Sequence, residues 1–199
     1  MTRPKEAGYA CFLRHDFLDL LRLAREMGVR NDILDDFYRH LSRLEAAVQS
    51  YRTAPIGEWD PDPKRWVGFY TALRDLLGEG DWKYVNNPGG GFMGYWWHWK
   101  GNTYLQLEQN KLCFKIEVAD RDKKVRVARW NEWHETLVSA NRDCGLPLKS
   151  SPRREGQWMT VMVLARDYRQ SDVRGVIDMQ RTVQELRKVE SLHDVAASR

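Results

Sequence analysis

The chain of 199 residues is 42% hydrophobic and 12% aromatic, which suits one globular domain over 1–199 with a sizeable core and excludes a low-complexity protein. No apolar run approaches the roughly 20 residues that a membrane-spanning helix needs, and the N-terminus has no signal-peptide core, so we expect a cytoplasmic protein without membrane spans. The net charge of +4 equals the excess within residues 120–175, where twelve Lys and Arg residues stand against eight Asp and Glu residues; this excess excludes a densely basic nucleic-acid module but allows contact with nucleic acid or an acidic partner.

Two amphipathic helices are predicted in the first 50 residues. Apolar residues recur at three- and four-residue spacing from Arg14 to Met27, as on one face of a helix. Asn31 or Asp32 can cap a second helix, whose apolar stripe continues to about Ser50. Because the connection between them is short, we expect an antiparallel helical pair over 1–50.

A proline-rich loop is predicted over residues 51–64. Within it, Asp62 and Lys64 have the Asp-x-Lys spacing of the carboxylate and lysine pair of nucleases. The neighbouring prolines lack the backbone donor that a central strand requires, so this pair does not suit a nuclease strand. We interpret Pro63 instead as the first turn of a third helix that runs to Leu77.

The stretch from Trp82 to Val118 is predicted to form most of a β-sheet. If Gln109-Asn110 is a two-residue hairpin turn, apolar residues face apolar residues and Glu108 faces Lys111. A slip of one residue would destroy this agreement, so the sequence specifies the register of the hairpin strongly.

A second two-residue turn is predicted at Gly101-Asn102. Strict alternation from this turn sorts the side chains onto two faces, and one of them takes Trp96 and His98 together with the apolar residues of the hairpin. The other, the predicted mixed face, combines aromatic rings with charged side chains. Its members are Tyr95, Trp97, Trp99, Tyr104, Gln106, Glu108, Lys111, Cys113, Lys115 and Glu117.

The remaining elements follow the hairpin. A helix is predicted from Arg121 to about Cys144, followed by a basic loop over Lys149 to Glu155. The run from Trp158 to Ala165 is apolar on both alternating sets, which predicts a central strand covered on both faces. Asp178 is expected to cap a last helix, and the tail to Arg199 is expected to fray.

Together these elements predict an α+β fold. The antiparallel sheet is expected to have about four strands, at roughly 82–86, 92–99, the 103–118 hairpin and 157–165, packed with the N-terminal helices and two later helices. The α+β core is expected to span 65–195.

Few side chains have the spacing of a catalytic or metal site. His98 and His134 have no second His or Cys at ligand spacing, and no cysteine pair has the Cys-x-x-Cys pattern, which argues against a disulfide framework and a zinc site. The cysteines are Cys11, Cys113 and Cys144. The glycines of Asn87 to Gly91 lead into a strand rather than a helix, so we interpret them as a wide turn rather than a phosphate loop. We therefore predict no catalytic residue, no metal ligand and no cofactor.

The predicted mixed face is the surface with the strongest binding signal. Aromatic rings stack on bases while cations bind phosphates, which is what single-stranded nucleic acid requires. Two alternatives are open, because helices from the first third of the chain can instead bury the rings, and the cations can be a solvated helix face. The candidate residues for nucleic-acid or partner binding are Tyr95, Trp97, Trp99, Tyr104, Lys111, Lys115, Arg121, Lys123, Lys124, Arg153 and Arg154.

Three stretches of the chain have a distinctive pattern. They are W-x-G-F-Y from Trp66 to Tyr70, N-P-G-G-G-F-x-G-x-W-W from Asn87 to Trp97, and Y-L-Q-L-E-x-x-K-L-C-F-K-I-E-V from Tyr104 to Val118. The earlier D-F-L-D-L-L and N-D-I-L-D-D-F-Y-x-H-L extend the pattern over most of the chain. Together these stretches resemble the carboxy-terminal region of bacterial PD-(D/E)XK nuclease superfamily proteins that are often found near defence genes.

The chain departs from that family in its catalytic core. The family carries an Asp on one strand and a (Asp/Glu)-x-Lys on the next, which bind a metal ion and activate water. This chain has no Glu-x-Lys, and Lys115-Ile116-Glu117 has the reverse order. The resemblance therefore implies a nucleic-acid context without the nuclease chemistry.

We expect a non-catalytic accessory or partner domain of a nuclease or defence system that binds nucleic acid or a protein. Two alternatives are open. One is a nuclease dependent on Mg²⁺ or Mn²⁺, with Glu108 and Glu117 as ligands beside Lys115. The other is a pure protein–protein interaction module.

Overall fold

The computed structural model describes residues 13–59, 63–87, 90–154 and 156–199. The chain divides into two compact units, Met1–Gln49 and Ser50–Arg199, which we call the N-terminal unit and the sheet unit. The prediction that 1–199 form a single domain stays a prediction. Four features named from the sequence lie outside the described residues, namely Cys11, Asp62, the Pro88-Gly89 part of the predicted wide turn, and Glu155 at the end of the predicted basic loop.

The N-terminal unit contains the two predicted helices, α1 (Arg14–Glu26) and α2 (Asp32–Gln49). Asn31 caps α2, because its Oδ1 accepts hydrogen bonds from the backbone N–H groups of Ile33 at 3.0 Å and Leu34 at 3.2 Å. Neither helix contains a buried residue. The amphipathic pattern thus predicted both helices correctly. The apolar side chains of that pattern are nevertheless not fully buried.

Over its described residues, the sheet unit combines three α-helices with an antiparallel sheet of six strands in the order β1-β2-β3-β4-β6-β5. The helices are α3 (Pro63–Leu77), α4 (Lys123–Cys144) and α5 (Met179–Ala197). The strands are β1 (Asp81–Val85), β2 (Phe92–Lys100), β3 (Thr103–Glu108), β4 (Lys111–Glu117), β5 (Leu148–Ser150) and β6 (Trp158–Leu164). The architecture is therefore α+β, as predicted.

The prediction of about four strands is wrong, since the sheet has six. The short edge strand β5 lies where the basic loop was expected to begin, and three residues are too few for alternation to be visible. Strand β6 is interior, between β4 and β5, but Trp158 is 59% exposed, so it is not fully covered on both faces. Helix α5 continues to Ala197, and the tail that was expected to fray is helical almost to its end.

The β3–β4 hairpin has the predicted register. Glu108 faces Lys111, and the pairs continue to Tyr104 opposite Lys115. Gln109 has a φ of 53°, the positive value that the first residue of a primed two-residue turn requires.

The pairing of β2 with β3 contains a bulge that alternation did not predict. Trp97 pairs with Leu105 and Lys100 pairs with Thr103, so two residues of β2 oppose a single residue of β3. His98, inside the bulge, has a φ of 56°. Strict alternation therefore fails upstream of the bulge, where each side chain lies on the face opposite to the predicted one.

Helices α3, α4 and α5 pack on one face of the sheet, the core face, and we call the opposite face the outer face. Tyr95 and Trp97 point to the core face and are 0% exposed. The ring of Tyr95 stacks with that of Tyr70 on α3 at 5.5 Å, and Trp97 Nε1 donates a hydrogen bond to Glu190 Oε1 on α5 at 2.7 Å. Their assignment to the predicted mixed face is thus wrong, and the bulge is the reason.

Candidate functional site

The outer face combines aromatic, basic and polar side chains. Because directly paired residues of neighbouring strands share a face, the register of the five strand pairs defines its membership. Its members include Lys83, Trp96, Tyr104, Gln106, Glu108, Lys111, Cys113, Lys115, Glu117, Lys149, Trp158 and Thr160. Trp99 joins them, because its ring stacks on Tyr104 with a centroid distance of 4.0 Å and an interplanar angle of 16°.

Three tryptophans offer ring surface on the outer face. Trp99 is 46% exposed, whereas Tyr104 beneath it is only 4% exposed. Trp158 is 59% exposed, and Trp96 is half-buried with the Lys83 Nζ atom 5.3 Å from its ring centroid. The stacked pair leaves one side of Trp99 to solvent and supports the other with Tyr104.

The centre of the outer face is a closed polar network. Lys115 Nζ lies 3.4 Å from Glu108 Oε1 and donates to Thr160 Oγ1 at 3.1 Å. Gln106 Nε2 donates to the same Glu108 oxygen at 3.0 Å. Since the side chain of Lys115 is only 9% exposed, its charge is compensated within the protein and is not presented to a phosphate.

Cys113 lies beside this network and is buried. Burial raises the pKa of its thiol to about 12, so the thiol stays protonated at neutral pH. A protonated, buried thiol is a packing group and not a nucleophile.

The antiparallel topology gathers most of the predicted cations at one end of the sheet. The C-terminal ends of β2 and β4 and the N-terminal ends of β3 and β6 meet there, which brings Trp99, Tyr104 and Trp158 to this end. The loops that follow β4 and precede β6 leave the same end, and the Val118 N–H donates to the Gln157 carbonyl at 2.7 Å. We call this surface the basic end. It comprises Trp99, Tyr104, Trp158, Arg121, Lys123, Lys124, Arg153 and Arg154.

The five cations of the basic end are exposed, and acidic residues lie between them in the chain. Asp122 caps α4, because its Oδ1 accepts the Lys124 N–H at 2.7 Å, and Asp120 Oδ1 accepts the Asp122 N–H at 2.8 Å. Asp122 thus caps the N-terminus of the helix, Asp120 holds the cap residue, and both carboxylates reduce the net positive field of the surface.

The predicted binding residues therefore separate into three groups. Tyr95 and Trp97 are core residues that offer no ring surface. Lys115 is paired inside the outer face, and Lys111 is exposed at the opposite end of the sheet, beside the β3–β4 turn. Only the remaining seven predicted residues meet at the basic end, together with Trp158, which sequence alternation had assigned to a covered strand.

The ligand pair of the nuclease alternative does not meet in the structure. Glu108 faces Lys111, and Glu117 lies six residues farther along β4. At about 3.3 Å per residue, this places the Cα atoms of the two residues about 20 Å apart along the strand direction, too far for both side chains to bind one ion. Glu117 Oε1 instead accepts a hydrogen bond from Gln157 Nε2 at 2.8 Å.

A second polar cluster lies at the bulge, on the core-face side of β2. The ligand atoms of Glu79, His98 and Glu190 all lie within 4.8 Å of one another. Sequence reasoning missed this cluster, because it examined ligand spacing along the chain, whereas these residues come from the α3–β1 loop, β2 and α5. The only local signal is the bulge, which the sequence does not reveal.

His193 on α5 lies next to this cluster. The residue is 0% exposed, its Nε2 lies 3.1 Å from Thr103 Oγ1, and its ring centroid is 5.5 Å from that of His98. Its Nδ1 and the Nε1 of Trp133 have no hydrogen-bond partner among the described residues. Burial, reinforced by repulsion from His98, lowers the pKa of His193 to about 4, so it is neutral at pH 7.

None of the helices in the described ranges combines the length and the apolar character that crossing a bilayer requires. Comparisons of the chain with protein-family models, with curated proteins and with solved structures found no match.

Proposed function

We propose that this chain is a non-catalytic accessory domain that binds single-stranded nucleic acid at the basic end, in the setting of a PD-(D/E)XK-type nuclease or defence system. The observation that carries the proposal is the exposed ring of Trp99, stacked on Tyr104 and accompanied by Trp158 and five exposed cations.

Stacking supplies the first part of the binding free energy. A base that stacks on the free side of Trp99 meets a ring already held in place by Tyr104, so little side-chain entropy is lost on binding. Each base stacked on an aromatic ring contributes about 1 to 3 kcal/mol in single-stranded complexes. Trp158, on the same face and at the same end, offers a second platform.

Phosphate contacts supply the second part. Arg153 and Arg154 lie in the loop before β6, and Lys123 and Lys124 lie in the first turn of α4, where the helix dipole adds positive potential. Because carboxylates are interleaved, the long-range field is weak and binding depends on close contacts. Three to five phosphate contacts predict a slope of log affinity against log salt of about −2 to −3.5, at about −0.7 per contact on a single strand.

The nucleic-acid context also agrees with the resemblance to the carboxy-terminal region of the PD-(D/E)XK proteins. The non-catalytic part of the proposal is supported by the separation of Glu108 from Glu117 along the hairpin.

Fluorescence anisotropy with labelled single-stranded DNA and RNA of about 12 nucleotides tests the proposal, at several salt concentrations. We expect Trp99→Ala to weaken binding by about 1 to 3 kcal/mol, and the Arg153→Ala/Arg154→Ala double variant to reduce the salt slope by about 1 to 1.5. Tyr84→Ala is the matched aromatic control, since Tyr84 is 56% exposed but lies near the other end of β1. Arg181→Ala/Lys188→Ala, on α5, is the matched charge control.

Unchanged affinity in both Trp99→Ala and the Arg153/Arg154 double variant would contradict the proposal, as would an affinity that does not respond to salt. In that case a protein partner becomes the better hypothesis. Incubation of the same oligonucleotides with Mg²⁺ or Mn²⁺ tests the nuclease alternative, because a non-catalytic domain leaves them intact.

A further inference from the structure

We propose that Glu79, His98 and Glu190 form a binding site for one first-row transition-metal dication, represented by Zn²⁺. The site lies at the bulge of β2 and uses none of the residues of the basic end. It is independent of the proposed nucleic-acid binding.

The three side chains converge on a single point from different elements. Glu79 comes from the loop between α3 and β1, His98 from β2 and Glu190 from α5, and their ligand atoms lie within 4.8 Å of one another. Around a zinc ion at about 2.0 to 2.2 Å from each ligand, these atoms would be about 3 to 4 Å apart. The ligand atoms therefore need to move only slightly closer together. The side chain of Glu79 can make this movement, because it is 43% exposed on a loop.

The ring orientation of His98 is fixed by a carboxylate on the nitrogen that faces away from Glu79, as is common in protein metal sites. Its Nε2 lies 2.9 Å from Asp194 Oδ1, and Lys100 Nζ lies 2.8 Å from the same oxygen. Its Nδ1 points to Glu79, at 3.3 Å from Oε1. A carboxylate that accepts the second N–H of a histidine fixes the tautomer and raises the basicity of the ligating nitrogen.

The backbone of His98 has an unusual conformation for a residue of this size. Its φ of 56° lies in the left-handed region, which non-glycine residues rarely adopt. The bulge turns both Trp97 and His98 toward the helices, whereas in a regular strand only one of them would point there. Bulges and left-handed residues cluster at functional sites, where they direct a particular side chain.

Glu190 provides a buried, oriented carboxylate. It is 4% exposed, and its oxygens accept hydrogen bonds from Trp97 Nε1 at 2.7 Å and Arg187 Nη1 at 2.7 Å. Each carboxylate oxygen has a further lone pair, so these bonds position the group without exhausting its capacity to bind a cation.

A second observation comes from His193, which packs against His98. The fully buried His193 presents an Nδ1 atom without a partner among the described residues, and its ring lies 5.5 Å from that of His98. Buried polar atoms are nearly always satisfied, so an unpartnered ring nitrogen on a residue packed against His98 indicates room for a further polar group close to that histidine.

The donor set selects the class of metal. An imidazole nitrogen with carboxylate oxygens favours Zn²⁺, Co²⁺ or Mn²⁺, whereas Mg²⁺ and Ca²⁺ prefer oxygen ligands alone. We therefore expect Zn²⁺ to bind more tightly than Mg²⁺.

Isothermal titration of the chelator-treated 199-residue chain with Zn²⁺ tests the site, with Co²⁺ absorbance as an independent readout of coordination. We expect one ion per chain, and at least a tenfold loss of affinity in Glu79→Gln and in His98→Asn, where Asn tolerates the left-handed backbone. Asp194→Asn, which removes the positioning carboxylate, should weaken Zn²⁺ binding about 10- to 100-fold. Matched controls are Glu132→Gln and His134→Asn on α4, which should keep the wild-type affinity.

Absence of stoichiometric Zn²⁺ binding, or equal affinity in wild type, Glu79→Gln and His98→Asn, would overturn the proposal. Because Glu79 is an exposed loop residue, its variant keeps the test valid even if His98→Asn fails to fold. The Trp99→Ala variant should bind Zn²⁺ normally, which separates a failure of this site from a failure of the basic end.

Discussion

At the scale of single residues, His193 makes the stability of the sheet unit depend on pH. Its pKa is about 4 in the folded protein, because burial disfavours the charged ring, against an ordinary value near 6.5 in the unfolded chain. The titratable groups that act on it are His98, Asp194 and Lys100. Between these two pKa values the unfolded state binds more protons, so stability falls as the pH falls from about 6.5 to about 4, and it is complete above about 6.5.

We expect this coupling to remove about 2 to 4 kcal/mol of the free energy of unfolding across that window. The His193→Gln variant should lose most of the pH slope, although it is less stable overall because a buried amide replaces the ring. Urea unfolding at a series of pH values between 4 and 7 measures the slope. His40→Gln, at an exposed position of α2, is the matched control and should keep the wild-type slope. An unchanged slope in His193→Gln would show that another group controls it.

At the scale of elements, the bulge of β2 decides which tryptophan is structural. Trp97 is 0% exposed and donates to the buried Glu190, whereas Trp99 is 46% exposed on the other face. Trp97→Phe leaves a cavity and removes a hydrogen bond to a carboxylate, so we expect a loss of about 2 to 4 kcal/mol in the free energy of unfolding.

The same substitution at Trp99 is the control for Trp97→Phe, and it should cost less than about 1 kcal/mol because the ring remains aromatic and partly exposed. Chemical denaturation of both variants provides the comparison. Equal losses, or a larger loss at Trp99, would contradict the assignment of Trp97 to the core face and of Trp99 to the outer face.

The contrast between the two strand pairs shows what the sequence can and cannot determine. The β3–β4 register was predictable, because apolar and charged residues alternate and each face matches its partner across the hairpin. In β2 the run Tyr95-Trp96-Trp97-His98-Trp99 is aromatic at every position, so its pattern carries no information about which side chain faces the core. A one-residue bulge in such a run moves each side chain to the opposite face, and the sequence pattern does not reveal it.

The two clusters differ in a similar way. The sequence identified each cation of the basic end as a binding candidate. Only the strand order, however, brings Arg153 and Lys123 to the same end of the sheet. The cluster at the bulge joins Glu79 to Glu190, which are more than one hundred residues apart, and no local spacing rule detects such a set.

At the scale of the whole molecule, the two units differ in how they are stabilised. The sheet unit has a continuous core in which α3, α4 and α5 cover one sheet face. The described helices of the N-terminal unit contain no buried residue, and apolar side chains such as Leu20 at 53% and Ile33 at 78% are exposed. Short helices gain most of their stability from the burial of an apolar face, so we expect tertiary packing to stabilise α1 and α2 only weakly.

We therefore expect native-state hydrogen exchange to separate the units. Amides of α1 and α2 should exchange with opening free energies below about 2 kcal/mol, whereas amides of β3, β4 and α5 should exchange only near the global free energy of unfolding. As the control, a truncated chain of residues 50–199 should keep the cooperative transition of the full chain and the pH slope that His193 confers. Equal protection of α2 and α5 would contradict this view, because it would require a source of stability for α2 that its exposed side chains do not provide.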